Sequence, residues 1–248
     1  MQSISKRELF IQAFDTYKLH ASFLFNIGLL MFAIQIIIPS IITGLLGGGG
    51  AGYIVYQIAY TILSTGISLG IIVQMIQLVR GGEPEDVSNI FNHFHKVPSN
   101  LLGSFIIISG MICMITLFLM MTTGLEMYQE IINRAADGLE PDWEIILGEN
   151  PSSIMILGII LMGISIVYLS IKTHFFVYFI MDKNTAAIES IKRSFIATNG
   201  FEAELFIVWA LLGCMNLIGA MLYMIGLLFT LPFTIMVISL IYHKHLSN

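Results

Sequence analysis

Six histidines and one isolated lysine are the residues through which this chain could hold a metal or move a proton. The histidines are His20, His93, His95, His174, His243 and His245. Four of them form His93-x-His95 and His243-x-His245, a spacing of two that points the rings to different faces of a helix. Helical metal sites need a spacing of three or four. Cys113 and Cys214 both lie inside apolar runs, so neither a disulfide framework nor a cysteine zinc site is readable. The chain has no Gly-x-Ser-x-Gly elbow, no His-Glu-x-x-His and no phosphate-binding loop. No metal, no cofactor and no enzymatic activity are therefore expected, and the histidines read as interfacial side chains.

Lys172 is the one charge inside the long apolar runs. An ionised group in hydrocarbon costs about 2.5 kcal/mol or more and is retained mainly for function. Its place near the end of its run predicts a stem that snorkels to water, with His174 beside it at the cytoplasmic interface. Glu202 and Glu204 start the next run and are expected to be solvated or paired with Lys192 or Arg193. A membrane-embedded enzyme would require Lys172, His174 and Glu204 to converge with a nucleophile.

Uncharged polar groups leave two readings open. Gln35, Gln57 and Asn216 could hydrogen-bond across helices, or could line a path for a small neutral solute or a lipid headgroup. Gly66-Ile-Ser-Leu-Gly70 puts Gly66 and Gly70, with Ser68 between them, on a small-residue stripe suited to close helix packing, within the chain or between two copies.

The elements that carry these residues follow from hydropathy. The 248 residues are 56% hydrophobic and only 11% charged, less than half the ~25% charge of a soluble domain. An all-α integral membrane fold is predicted, a single transmembrane domain over 1–248 with six spans paired as three hairpins. Apolar runs place the spans at about 21–46, 51–79, 99–125, 151–175, 203–220 and 224–243. The run Gly47–Gly50 turns the first hairpin. Pro232 should kink the sixth helix. Apolar sequence from Pro151 to Met181 exceeds a bilayer core, so its end is expected to tilt or project into water.

Ten of the eleven basic residues fall on the side shared by both termini, Arg134 being the exception. The positive-inside rule then makes both termini cytoplasmic. The connection 126–150 carries seven acids and is expected outside, with short helices around Tyr128 and Trp143 resting on the interface. An amphipathic segment precedes each hairpin: Leu9, Phe10, Ala13 and Phe14; Ile90, Phe91 and Phe94; Ile191, Phe195 and Ile196. Each should lie in the headgroup layer, and together they give the pattern of a threefold internal repeat. Asp86 or Ser88 is expected to cap the second.

The last third adds a likeness. Ala186-Ala187-Ile188-Glu189-Ser190-Ile191-Lys192-Arg193-Ser194 is followed by Leu205-Phe206-Ile207-Val208-Trp209, then Ile225-Gly226-Leu227-Leu228-Phe229-Thr230-Leu231-Pro232, then Ile241-Tyr242. This order resembles the bacterial six-span YciC-like inner-membrane proteins and the membrane domain of glycerophosphoryl diester phosphodiesterases. Those proteins show a Gly-Ile-Gly-Leu turn, and here Met224 stands where the earlier turn glycine would be. The resemblance implies a fold in the bacterial inner membrane more than a function, since the hydrolase centre lies in a separate soluble domain. The expected function is a non-enzymatic accessory or scaffold that binds partners in the bilayer, with a transporter or channel for lipid or a small neutral solute as the alternative. Membrane lipids and other membrane-protein subunits, or a second copy, are the expected partners, with no nucleic acid among them.

Overall fold

The computed structural model describes residues 5–46, 50–84, 86–123, 129, 132–134, 136–139, 153–222 and 224–247. Its helices are α1 (Lys6–Leu19), α2 (Ala21–Phe32), α3 (Ile38–Leu46), α4 (Gly50–Val79), α5 (Val97–Thr123), α6 (Ser153–Thr173), α7 (Phe176–Lys183), α8 (Ala187–Ala197), α9 (Glu202–Met221) and α10 (Leu227–Ile241). A π turn, Ala33–Ile37, joins α2 to α3; a 3₁₀ helix, Val87–Lys96, precedes α5; a second π turn, Tyr242–Leu246, follows α10. No strand occurs among the described residues. Six helical stretches are long and apolar enough to cross a membrane: Ala21–Leu45, Gly52–Val79, Val87–Phe118, Ile156–Lys183, Glu202–Met221 and Leu227–Leu246. The chain is an all-α, multi-pass membrane protein. Most of the acidic connection 126–150, including Tyr128 and Trp143, lies outside the described residues.

Two units divide the chain, one of Met1–Gly103 with Lys172–Asn248 and one of Ser104–Ile171. In the second, α5 and α6 are continuous apolar helices with Ile108, Ile112, Ile160 and Ile164 exposed. In the first, the proline positions decide the geometry. Pro39 has no N–H to give. The Ile38 N–H reaches back to the Ala33 carbonyl, one residue beyond the α-helical partner, and this π turn leaves the Ile34 carbonyl without a helical donor. The Tyr60 hydroxyl of α4 supplies one at 3.1 Å, pinning the first hairpin.

Pro232 sits buried inside α10 and removes the donor that the Leu228 carbonyl would use. Gly28 of α2 brings its backbone directly against that carbonyl, and a Cβ there would also meet Pro232 Cγ at 3.2 Å. Hydrocarbon has no water to satisfy such a group, so a glycine that admits a neighbouring helix is a common solution. Around this contact α2 packs on α10, with the Phe25 and Phe229 rings 5.7 Å apart.

The turn between α9 and α10 falls between Gly219 and Gly226, whose backbones touch. Met224 takes a left-handed conformation there, φ 61°.

Three expectations are corrected by the fold. The segment 87–96 is not a headgroup α-helix. Asp86 does cap it, accepting from Ser88 N–H at 3.3 Å, but it is a 3₁₀ helix laid along α4. Helical apolar sequence there runs without a gap from Val87 to Phe118. The fourth stretch is not one straight helix: it breaks at His174–Phe175 and continues as α7, whose Phe176, Tyr178, Phe179 and Ile180 are buried. Finally, Ser68 is exposed and takes no part in the glycine stripe around it.

Candidate functional site

The break in the fourth span gathers more buried polar chemistry than any other part of the described chain. Where α6 ends, the Lys172 carbonyl and the Phe175 N–H border the break between α6 and α7. One side chain serves both. The Ser194 hydroxyl of α8 donates to the Lys172 carbonyl at 2.6 Å and accepts the Phe175 N–H at 3.2 Å. Ser194 can reach because α8 turns its small, hydroxylated face inward, burying Ala187, Ser190 and Ser194 while Ile188 and Ile196 point outward. Thr185 bonds Ser190 at 2.6 Å, and Thr198 donates to the Ser194 carbonyl at 2.8 Å, fixing the helix at both ends.

Lys172 does not snorkel. Only 3% of its side chain is exposed, and its ammonium pairs with Glu202 at 2.5 Å and donates to Asn199 Oδ1 at 3.4 Å. Glu202 occupies the first turn of α9, where backbone N–H groups favour a negative charge. Its side chain remains 27% exposed, and its cation is Lys172 rather than the Lys192 or Arg193 that the sequence had implied. Arg193 instead pairs one turn back with Glu189 at 2.9 Å, and Lys192 is exposed. His174 lies edge-on to Trp209 with ring centroids 4.3 Å apart, and the Trp209 indole N–H is buried without a hydrogen-bond partner among the described residues.

Two turns further on, Asp182 receives a second set. Arg80 approaches its carboxylate at 2.7 Å, Tyr242 donates its hydroxyl at 3.0 Å, and Lys183 lies at 3.8 Å. The carboxylate holds the Arg80 guanidinium above its already high ordinary range through their hydrogen bond. Tyr178 and Phe179 close the site, their rings each 5.2 Å from that of Tyr242. The three groups share a position in the chain. Arg80 follows α4, Asp182 lies at the end of α7, and Tyr242 follows α10. One buried carboxylate therefore ties the ends of these three helices together.

The remaining predicted residues fall into separate places. Gly66 and Gly70 do pack closely, but against the chain's own 3₁₀ helix: a Cβ on Gly66 would meet the Phe94 ring at 2.5 Å, and Gly70 lies on Ile90. Asn216 bonds Thr234 at 3.0 Å inside the third hairpin, Gln57 donates to Tyr53 at 2.6 Å within α4, and Gln35 sits exposed in the π turn. These contacts do not join the three amides to one another. Of the enzyme constellation, Lys172 and His174 flank the break, Lys172 is paired with Glu202, and the nearby Ser194 hydroxyl is occupied as both donor and acceptor. Among the described residues no cluster of three His, Cys, Asp or Glu side chains is placed to hold a metal.

Asp182 and Arg80 were marked by no motif or spacing, and Ser194 and Tyr242 entered only as part of the likeness near the C-terminus, with no role attached. Their one signal is positional: Arg80, Asp182 and Tyr242 each interrupt or follow a long apolar run at once.

Fold and site thus define a multi-pass helical membrane protein whose buried charges link helices. Comparison with protein-family models, with curated proteins and with solved structures gives no match.

Proposed function

We propose that the protein is a non-enzymatic scaffold of a bacterial inner membrane, both termini cytoplasmic, that binds other membrane proteins through its third and fourth spans. The carrying observation is a gradation in burial. The third and fourth spans bury 6% and 17% of their most apolar stretches, the lowest of the six, against 22% for the fifth, 28% for the first, 44% for the sixth and 50% for the second. A helix that packs within its own chain covers one face, and the third span covers the least. The charges at the break and at Asp182 support the same reading, since ion pairs that join helices hold a platform rigid rather than process a substrate. The YciC-like order of elements near the C-terminus favours this membrane and this class.

Photo-crosslinking tests the proposal. A benzophenone amino acid at Ile112 of α5 or Ile164 of α6, in cells at native expression, should give a discrete protein adduct of constant mass. The same probe at Ile196 of α8 serves as the comparison. Adducts with lipid alone at both spans would sink the scaffold reading.

A further inference from the structure

A groove of about 410 Å³ runs along α4, lined by Tyr53, Ile54, Gln57, Ile58, Thr61 and Ile62, with Leu101 of α5 on its far side. That volume falls within the ~300–1,000 Å³ of ligand sites. We propose that it holds one acyl chain of a membrane phospholipid, with the ester carbonyl at Tyr53. Three observations fix the occupant. First, the groove is open to the bilayer, because Ile54, Ile58 and Ile62 are 61%, 58% and 43% exposed. Second, its length matches one leaflet. Tyr53 to Ile62 spans about 14 Å of helix, near half of a ~30 Å hydrocarbon core. Tyr53 lies in the first turn of α4, where the span begins and where tyrosines sit at headgroup level.

Third, the polar groups are at the end where an ester would lie. Gln57 Nε2 donates to the Tyr53 hydroxyl at 2.6 Å, so the oxygen is used as an acceptor and the phenol proton remains. No acceptor for that proton occurs among the described residues. The Thr61 hydroxyl is turned back onto the Gln57 carbonyl at 2.7 Å, which leaves the inner half of the groove apolar. An acyl chain with a carbonyl at one end satisfies both halves. A free fatty acid would bring an ionised carboxylate, and the lining offers no cation to receive it.

The test uses the full chain in vesicles of phosphatidylethanolamine and phosphatidylglycerol, with phosphatidylglycerol carrying a diazirine in its acyl chain as probe. After illumination, adducts are mapped by peptide mass. They should concentrate on residues 53–62 and 101, with other spans as the internal standard. Tyr53→Phe should lower that labelling about threefold, the effect of one neutral hydrogen bond. Ile58→Trp, which fills the groove from a half-exposed position, should lower it about tenfold by steric exclusion. Labelling spread evenly over all spans, labelling unmoved by Ile58→Trp, or displacement by oleate but not by unlabelled phosphatidylglycerol would each overturn the assignment.

Discussion

Arg80 and Asp182 meet at 2.7 Å, joining the end of α4 to the end of α7, and Tyr242, which follows α10, donates to the same carboxylate. The Asp182 side chain is 8% exposed while that of Arg80 is 39% exposed. Loss of the carboxylate therefore strands a cation that can still reach water. Asp182→Asn should cost about 2 kcal/mol, below the 3–5 of a fully buried pair, and Tyr242→Phe about 1 kcal/mol. The double variant should cost less than the sum, since both act on one group. Thermal unfolding of the purified protein in detergent reads all three.

The second pair behaves differently because its lysine has no route to water. Glu202→Gln removes the carboxylate from a lysine whose side chain is only 3% exposed, and should cost about 3 kcal/mol or more. Lys172→Met together with Glu202→Gln should recover most of that loss, as apolar replacements of buried pairs commonly do. Equal instability of the single and double variants would mean that the charge itself is needed for assembly.

The glycine stripe separates packing within the chain from packing between chains. A methyl on Gly70 would lie 2.5 Å from Ile90 Cγ2 and 2.7 Å from its Cα, in a place where backbone must move. Gly70→Ala should cost about 2 kcal/mol, whereas Ser68→Ala, on an exposed position, should change stability by less than about 0.5 kcal/mol. Mass measurement of the detergent complex should give the same oligomeric state for both variants and the parent. A loss of oligomer in Gly70→Ala without a loss of stability would assign the stripe to a second copy.

How much of this was legible depends on the range of the interaction. The spans could be read because hydrocarbon demands unbroken apolar sequence, a local property, and the Asp86 cap could be read because it acts over two residues. The break at His174 could not. Two of its backbone groups bond Ser194, which lies beyond all of α7, a turn and most of α8, and an apolar run alone gives no sign of it. Lys172 was read by its distance from the end of its run, a rule that assumes the end reaches water; α7 and α8 bury it instead. The Asp182 site needs the ends of three helices to meet before any of its residues has a partner. The inward face of α8 misled for a related reason. A helix that borders both lipid and a broken backbone turns its hydroxyls toward the protein.

Met224 offers a test of backbone strain at the closed end of the third hairpin. Its φ of 61° places a Cβ in the left-handed region, which costs a non-glycine residue about 1–2 kcal/mol. The Met224 N–H bonds the Ala220 carbonyl at 2.9 Å and its carbonyl accepts from Leu227 at 3.0 Å, so the turn is held from both sides and the strain cannot relax by rotation. Its side chain is 48% exposed and contributes little packing. Glycine removes the strain but widens the unfolded ensemble, which offsets part of the gain. Met224→Gly should raise stability by about 0.5–1 kcal/mol, read as a higher unfolding midpoint in detergent. Met224→Ala should not, because alanine keeps the offending Cβ. If the alanine variant were as stable as the glycine variant, the benefit would come from losing an exposed methionine and not from relief at φ.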